Sequence, residues 1–104
     1  MLNRRRSEIS NLYECPCCGF AVFQGIDRCE ICEICYWGDD GSDDAIPPED
    51  PLNNLSLEEV RLNFIRHGAS ELRRKDVVRS PSSADYQLRE FEIEDGVAIE
   101  KKKT

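Results

Sequence analysis

Six cysteines crowded into the first third of the chain, one strongly helical stretch after them, and no long apolar run predict a small α+β fold. Its centre is a zinc-ribbon or zinc-knuckle core, extended by one amphipathic helix and by a C-terminal hairpin or helix. With 104 residues the chain fits a single domain, residues 1–104, that buries only a modest apolar area and needs an additional staple. Residues 12–38 form the ribbon segment, 39–55 an acidic loop, 56–68 the helix and 69–104 a C-terminal extension.

In the ribbon segment, "YECPCCGF" and "CEICEICYWG" read as two short loops joined by strands. The aromatic and branched residues 20–23 suit a strand, and Gly25-Ile26-Asp27 supplies a turn before the chain returns at Cys29. Prolines, a glycine and asparagines keep the next stretch irregular, and Asp39, Asp40, Asp43, Asp44, Glu49 and Asp50 crowd it with carboxylates. It lacks the alternating aspartate-glycine pattern of a calcium loop, so a solvated surface is the default for such a charge run.

The helix is marked at both ends. Ser56 caps its start, with Glu59 three positions on completing a capping box, and Gly68 ends it in a left-handed turn. Leu57, Val60 and Phe64 recur at helical spacing and give it one packing face. Asn54-Leu55-Ser56 also matches a glycosylation sequon, but the cap explains the serine. Residues 61–79 are basic, and their arginines either bind an acidic ligand or pair with the acidic loop; proximity in a small domain favours pairing. Near the C-terminus "FEIEDGVAIE" reads as a hairpin with a three-residue loop at Glu94, Asp95 and Gly96, which aligns Phe91 and Ile93 with Ile99 and Val97. The helical spacing of Ala84, Leu88 and Phe91 supports a helix from Ser83 as the alternative. The closing Lys-Lys-Lys-Thr is expected to fray.

Two Cys-x-x-Cys loops supply four thiolates from two tight turns, which is the donor set and the geometry of structural zinc. Cys15 and Cys18 form the first pair and Cys32 and Cys35 the second, with thirteen residues between them. Gly19 lets the chain turn sharply under the metal. Cys29 and Cys32 make a second legal pair, so an alternative set exchanges Cys29 for Cys35. Cys17 points away from the metal, either as a small buried hydrophobe or as a reactive thiol. A redox dithiol needs a helix N-terminus in a βαβ setting, and neither pair is followed by helical periodicity.

Four thiolates close the zinc shell, which excludes an exposed Lewis acid. The only histidine, His67, sits where it favours the helix dipole, and no Ser-His-Asp set, phosphate-binding glycine loop or H-E-x-x-H motif is present. The expectation is a protein without enzymatic activity. A net charge of −7 argues against nucleic acid and towards a basic protein partner. No apolar run reaches membrane-spanning length, and no apolar stretch follows the basic cluster Arg4, Arg5 and Arg6, so a cytoplasmic protein with reduced thiols is expected.

The strings "YECPCCGF", "CEICEICYWGDDG", "NNLSLEEVRLNFIRHGA" and "VVRSP", in this order, resemble the bacterial cysteine-rich CPCC family. Cys29, Glu33 and Gly38 depart from that family's Y-E-I-C-P-V-C-x-W-E-D-D pattern, in which a tyrosine, a proline and an acidic residue stand at these places. The resemblance implies Cys32 and Cys35 as ligands with Cys29 accessory, a small zinc-ribbon protein, and in some relatives an immunity role beside polymorphic toxins. It leads to the expectation of a zinc-binding immunity protein that blocks a basic, nuclease-type toxin through Asp39, Asp40, Asp43 and Asp44, where acidic charge speeds association. The alternative is a thiol-redox or zinc-responsive regulator using Cys17 and Cys29.

Overall fold

A computed structural model describes residues 4–25, 29–44, 47, 53 and 55–101. It is α+β: strands β1 (Tyr13–Glu14) and β2 (Ala21–Phe23), helix α1 (Leu57–His67), a 3-10 turn at Leu72–Arg74, and strands β3 (Phe91–Glu94) and β4 (Val97–Glu100). The four strands form two separate antiparallel pairs, β1 with β2 and β3 with β4. Expectations at Ile26, Asp27, Glu49, Asp50, Asn54 and the last three residues lie outside the described residues.

β1 and β2 flank the first cysteine loop, with Tyr13 opposite Phe23 and Glu14 opposite Ala21 across an irregularity in the ladder. The second loop is closed by a single bridge between Ile31 and Gly38. Five of the nine residues in the buried cluster are cysteines, the others being Phe23, Ile34, Trp37 and Val60. Sulfur therefore takes the place that large aliphatic side chains fill in a bigger domain.

α1 has the capping box in full: Ser56 Oγ accepts from the Glu59 amide at 3.1 Å, and Glu59 Oε1 accepts from the Ser56 amide at 3.2 Å. Gly68, at φ 81°, donates its amide to the Phe64 carbonyl and stops the helix. Val60 is buried against the cysteines, with Leu57 and Phe64 packed beside it.

The C-terminal segment is a hairpin, and its register corrects the expected one. Glu94 faces Val97, so the loop has two residues, Asp95 and Gly96, rather than three. Both have positive φ, 53° and 81°, which is the backbone of a type I′ turn and matches the twist of the strands it joins. Phe91 and Ile93 consequently share a face with Ala98 and Glu100, not with Val97 and Ile99. The turn geometry has overruled the apolar pattern, and Ile93 and Val97 remain exposed.

Candidate metal centre

The two cysteine loops are built to one plan. In the first, the Cys15 amide donates to the Phe20 carbonyl and the Gly19 amide returns to the Cys15 carbonyl, both at 2.8 Å. In the second, the Cys32 amide donates to Trp37 and the Tyr36 amide to Cys32, at 2.9 and 2.8 Å. The residue after each second cysteine takes the left-handed conformation, Gly19 at φ 82° and Tyr36 at φ 72°. The glycine is needed in only one loop: a Cβ on Gly19 would stand 1.9 Å from the Arg89 carbonyl oxygen. Tyr36 keeps its side chain, over which the Arg74 guanidinium sits at 4.4 Å.

The loops are fixed from outside by the chain that follows them. Arg61 Nε donates to the Pro16 carbonyl at 2.8 Å, and the Leu88 amide to the Gly19 carbonyl at 2.7 Å. The second loop receives the Ser70 amide on Cys35 and the Arg79 amide on Glu33. Arg79 also clamps Glu33 and Asp85 through its guanidinium, which holds the Asp85 carboxyl well below its ordinary range.

These contacts bring Cys15, Cys18, Cys32 and Cys35 together, all buried, with every sulfur within 4.8 Å of the others. The Cys15–Cys35 and Cys18–Cys32 pairs lie at 3.5 and 3.8 Å. Disulfide sulfurs would be about 2.05 Å apart, whereas four thiolates about 2.3 Å from a tetrahedral zinc stand about 3.8 Å apart. The four cysteines are positioned to hold a metal ion.

Their electrostatics point the same way. Burial pushes Cys18 up to about 11 and drives Cys15 and Cys35 well above the ordinary thiol value. Cys32 moves well down, because Cys15, Cys18 and Cys35 donate to its sulfur. Four ionised thiols side by side are penalised by burial and by one another, and a divalent soft cation is what lets all four ionise in an apolar core.

The remaining two cysteines separate. Cys17 is fully buried and its thiol donates to the Val60 carbonyl of α1 at 3.3 Å, so it ties the first loop to the helix. Cys29 is exposed, at φ 57°, and lies outside the cluster.

The acidic loop is less open than a charge run suggests. Asp39 is buried and accepts from Arg4 Nη2 at 2.9 Å; the Arg4 guanidinium lies 6.0 Å from the Phe23 ring and 5.7 Å from that of Trp37. Asp43 is also buried. Asp40 is half-buried and folds the loop on itself by accepting from Ser42 and from Asn53 Nδ2. Asp44 alone of the four is exposed, and it is paired with Arg61 and with Arg89 at 2.7 Å. Burial opposes its charge, but the two arginines outweigh it and pull the carboxyl below its ordinary 3.8. Glu14, buried beside Arg89, shows the other balance: desolvation wins and raises it.

The sequence pattern of the cysteine-rich CPCC family matches residues 13–85. The chain belongs to this family. No curated protein and no solved structure matches it. The CPCC segment contains both cysteine loops, α1 and the Arg79–Asp85 clamp, and it ends before the β3–β4 hairpin. Among the described residues no helix is long and apolar enough to cross a membrane.

Proposed function

We propose that this CPCC protein is a small zinc-binding module without enzymatic activity, in which a closed metal centre holds a protein-binding surface in shape. The observation that carries the reading is the complete burial of four converging thiols. Such a donor set favours zinc over harder cations, and it leaves no position at the metal for water or substrate. Zinc binding contributes about 10–16 kcal/mol in small metal-folded peptides. The four fully buried large apolar side chains, Trp37, Phe23, Ile34 and Val60, contribute about 1.5–3 kcal/mol each. The metal thus rivals the core, and a reducing cytoplasm would keep its ligands available.

The finer reading is an immunity protein that neutralises a basic, nuclease-type toxin. The net charge of −7 supports a basic partner. Within the acidic loop, Asp40 and Asp44 are the carboxylates a partner can reach, since Asp39 and Asp43 face inward. Native mass spectrometry of tagged protein purified from its source cells tests both levels. One zinc per chain with a basic protein attached is expected; a metal-free chain with linked cysteines would overturn the zinc reading, and zinc without a partner would count against the protein-binding one.

The exposure of Cys29 favours a second reading, a thiol-responsive regulator whose oxidation loosens the adjacent metal loop. Cys17 is removed from that role by its burial. Zinc release by dilute peroxide that disappears in Cys29→Ser would support it, and release unchanged in that variant would end it.

A further inference from the structure

The β3–β4 hairpin lies beyond the part of the chain that matches the CPCC family, and its chemistry is one-sided. Residues 90–100 hold five carboxylates, Glu90, Glu92, Glu94, Asp95 and Glu100, and no lysine or arginine. Glu100 is paired with Arg5 and Arg89, and Glu90 with Lys101. Glu92, Glu94 and Asp95 are exposed and make no ion pair among the described residues. Beside them Ile93 and Val97 are exposed as well.

The hairpin has two backbone edges, and the register shows which groups line them. A two-residue turn makes Glu94 and Val97 a hydrogen-bonded pair, so the alternating ladder turns the amides and carbonyls of Ile93 and Ala98 outward. On the β4 side the Ala98 amide is satisfied by Glu58 of α1 at 2.6 Å. On the β3 side no further strand is paired among the described residues. Phe91 anchors that strand: it is buried, with the guanidiniums of Arg61 and Arg89 at 4.1 and 4.8 Å from its ring centre.

We propose that the outer edge of β3 is a docking edge for an extended, basic segment of a partner protein. The segment adds as a third strand, with lysines or arginines against Glu92 and Glu94 and apolar side chains beside Ile93. The inference rests on the reading of the protein as a protein-binding module and gives that module a surface other than the acidic loop. A second copy of the chain is a poor occupant, because β3 against β3 would set glutamates opposite glutamates.

The test is a titration of zinc-loaded, isotope-labelled protein with the peptide acetyl-Lys-Val-Lys-Val-Lys-Val-Lys-amide, following amide shifts and exchange. Binding that weakens with salt is expected, with shifts centred on residues 91–94. Exchange of the Ile93 amide should slow about tenfold at about 90% saturation. A peptide methylated on alternate backbone nitrogens should lose both effects. Shifts centred on Asp40 and Asp44, binding that survives methylation, no binding, or a concentration-dependent dimer would each overturn the proposal. A natural partner retained by the double variant Glu92→Lys, Glu94→Lys as fully as by wild type would also overturn it while leaving the module reading intact; absence of any partner from the wild-type protein bears on that reading instead.

Discussion

Gly19 shows how much a single position can depend on its surroundings. Its left-handed φ matches those of Gly68 and Gly96, but only at Gly19 does the space for a side chain belong to another backbone. Gly19→Ala must push residues 88–89 away from the first cysteine loop and is expected to cost about 3 kcal/mol or more, whereas Gly68→Ala meets nothing and should cost about 1 kcal/mol. Thermal unfolding of the two zinc-loaded variants checks the contrast, and equal losses would show that strain in φ alone is at work. Arg4 poses the complementary case of a charge that must stay. Arg4→Met removes the guanidinium from buried Asp39 and should cost about 3–5 kcal/mol, read from the same melts. Neither the Arg89 contact nor the Arg4–Asp39 pair was legible in the sequence. Each joins residues far apart in the chain, and Arg4 and Asp39 stand in charge clusters that look solvated when read locally. The four thiols were legible because their spacing is local, and the resemblance to the family favoured Cys35 over Cys29.

At the scale of elements, legibility followed how local the determinant is. The helix was readable at both ends because Ser56, Glu59 and Gly68 each act within a few residues of where they stand. Ser56→Ala should destabilise by about 1 kcal/mol through loss of the cap alone, leaving metal content unchanged; release of the metal would mean that α1 contributes more to the loops than its contacts at Pro16 and Cys17 suggest. The hairpin was readable as a hairpin but not in register. Phe91, Ile93, Val97 and Ile99 suggested a shared apolar face, and the Asp95-Gly96 turn imposed a different pairing. Nothing in the apolar pattern signals that the outer strand positions stay exposed, and that exposure is what makes the β3 edge available.

For the whole molecule, acidic residues and basic ones meet inside the fold. Arg4, Arg61 and Arg89 draw the acidic loop inward, and Arg79 binds the second cysteine loop to Asp85. The sign of the resulting pH dependence follows from Asp44. Its carboxyl is held below its ordinary 3.8 in the fold, so its contribution is complete above that value and is lost as pH falls through the lower folded one. Because Asp44 is partly exposed, Asp44→Asn should cost under about 1 kcal/mol. The loss should be the same at pH 7 and pH 5 when zinc is bound; a loss that grows by pH 5 would show a carboxyl whose folded value is raised rather than lowered. Burying the loop's charges also explains why so acidic a chain still closes around a cluster that itself becomes negative when ionised.

The central claim is a closed centre of four sulfurs, and X-ray absorption at the zinc edge of the loaded protein tests it most directly. The account predicts four sulfur scatterers at about 2.3 Å and no lighter donor in the first shell. A shell in which nitrogen or oxygen replaces one sulfur would contradict it, because it would mean that one of Cys15, Cys18, Cys32 and Cys35 is not a ligand and that the metal is open to water.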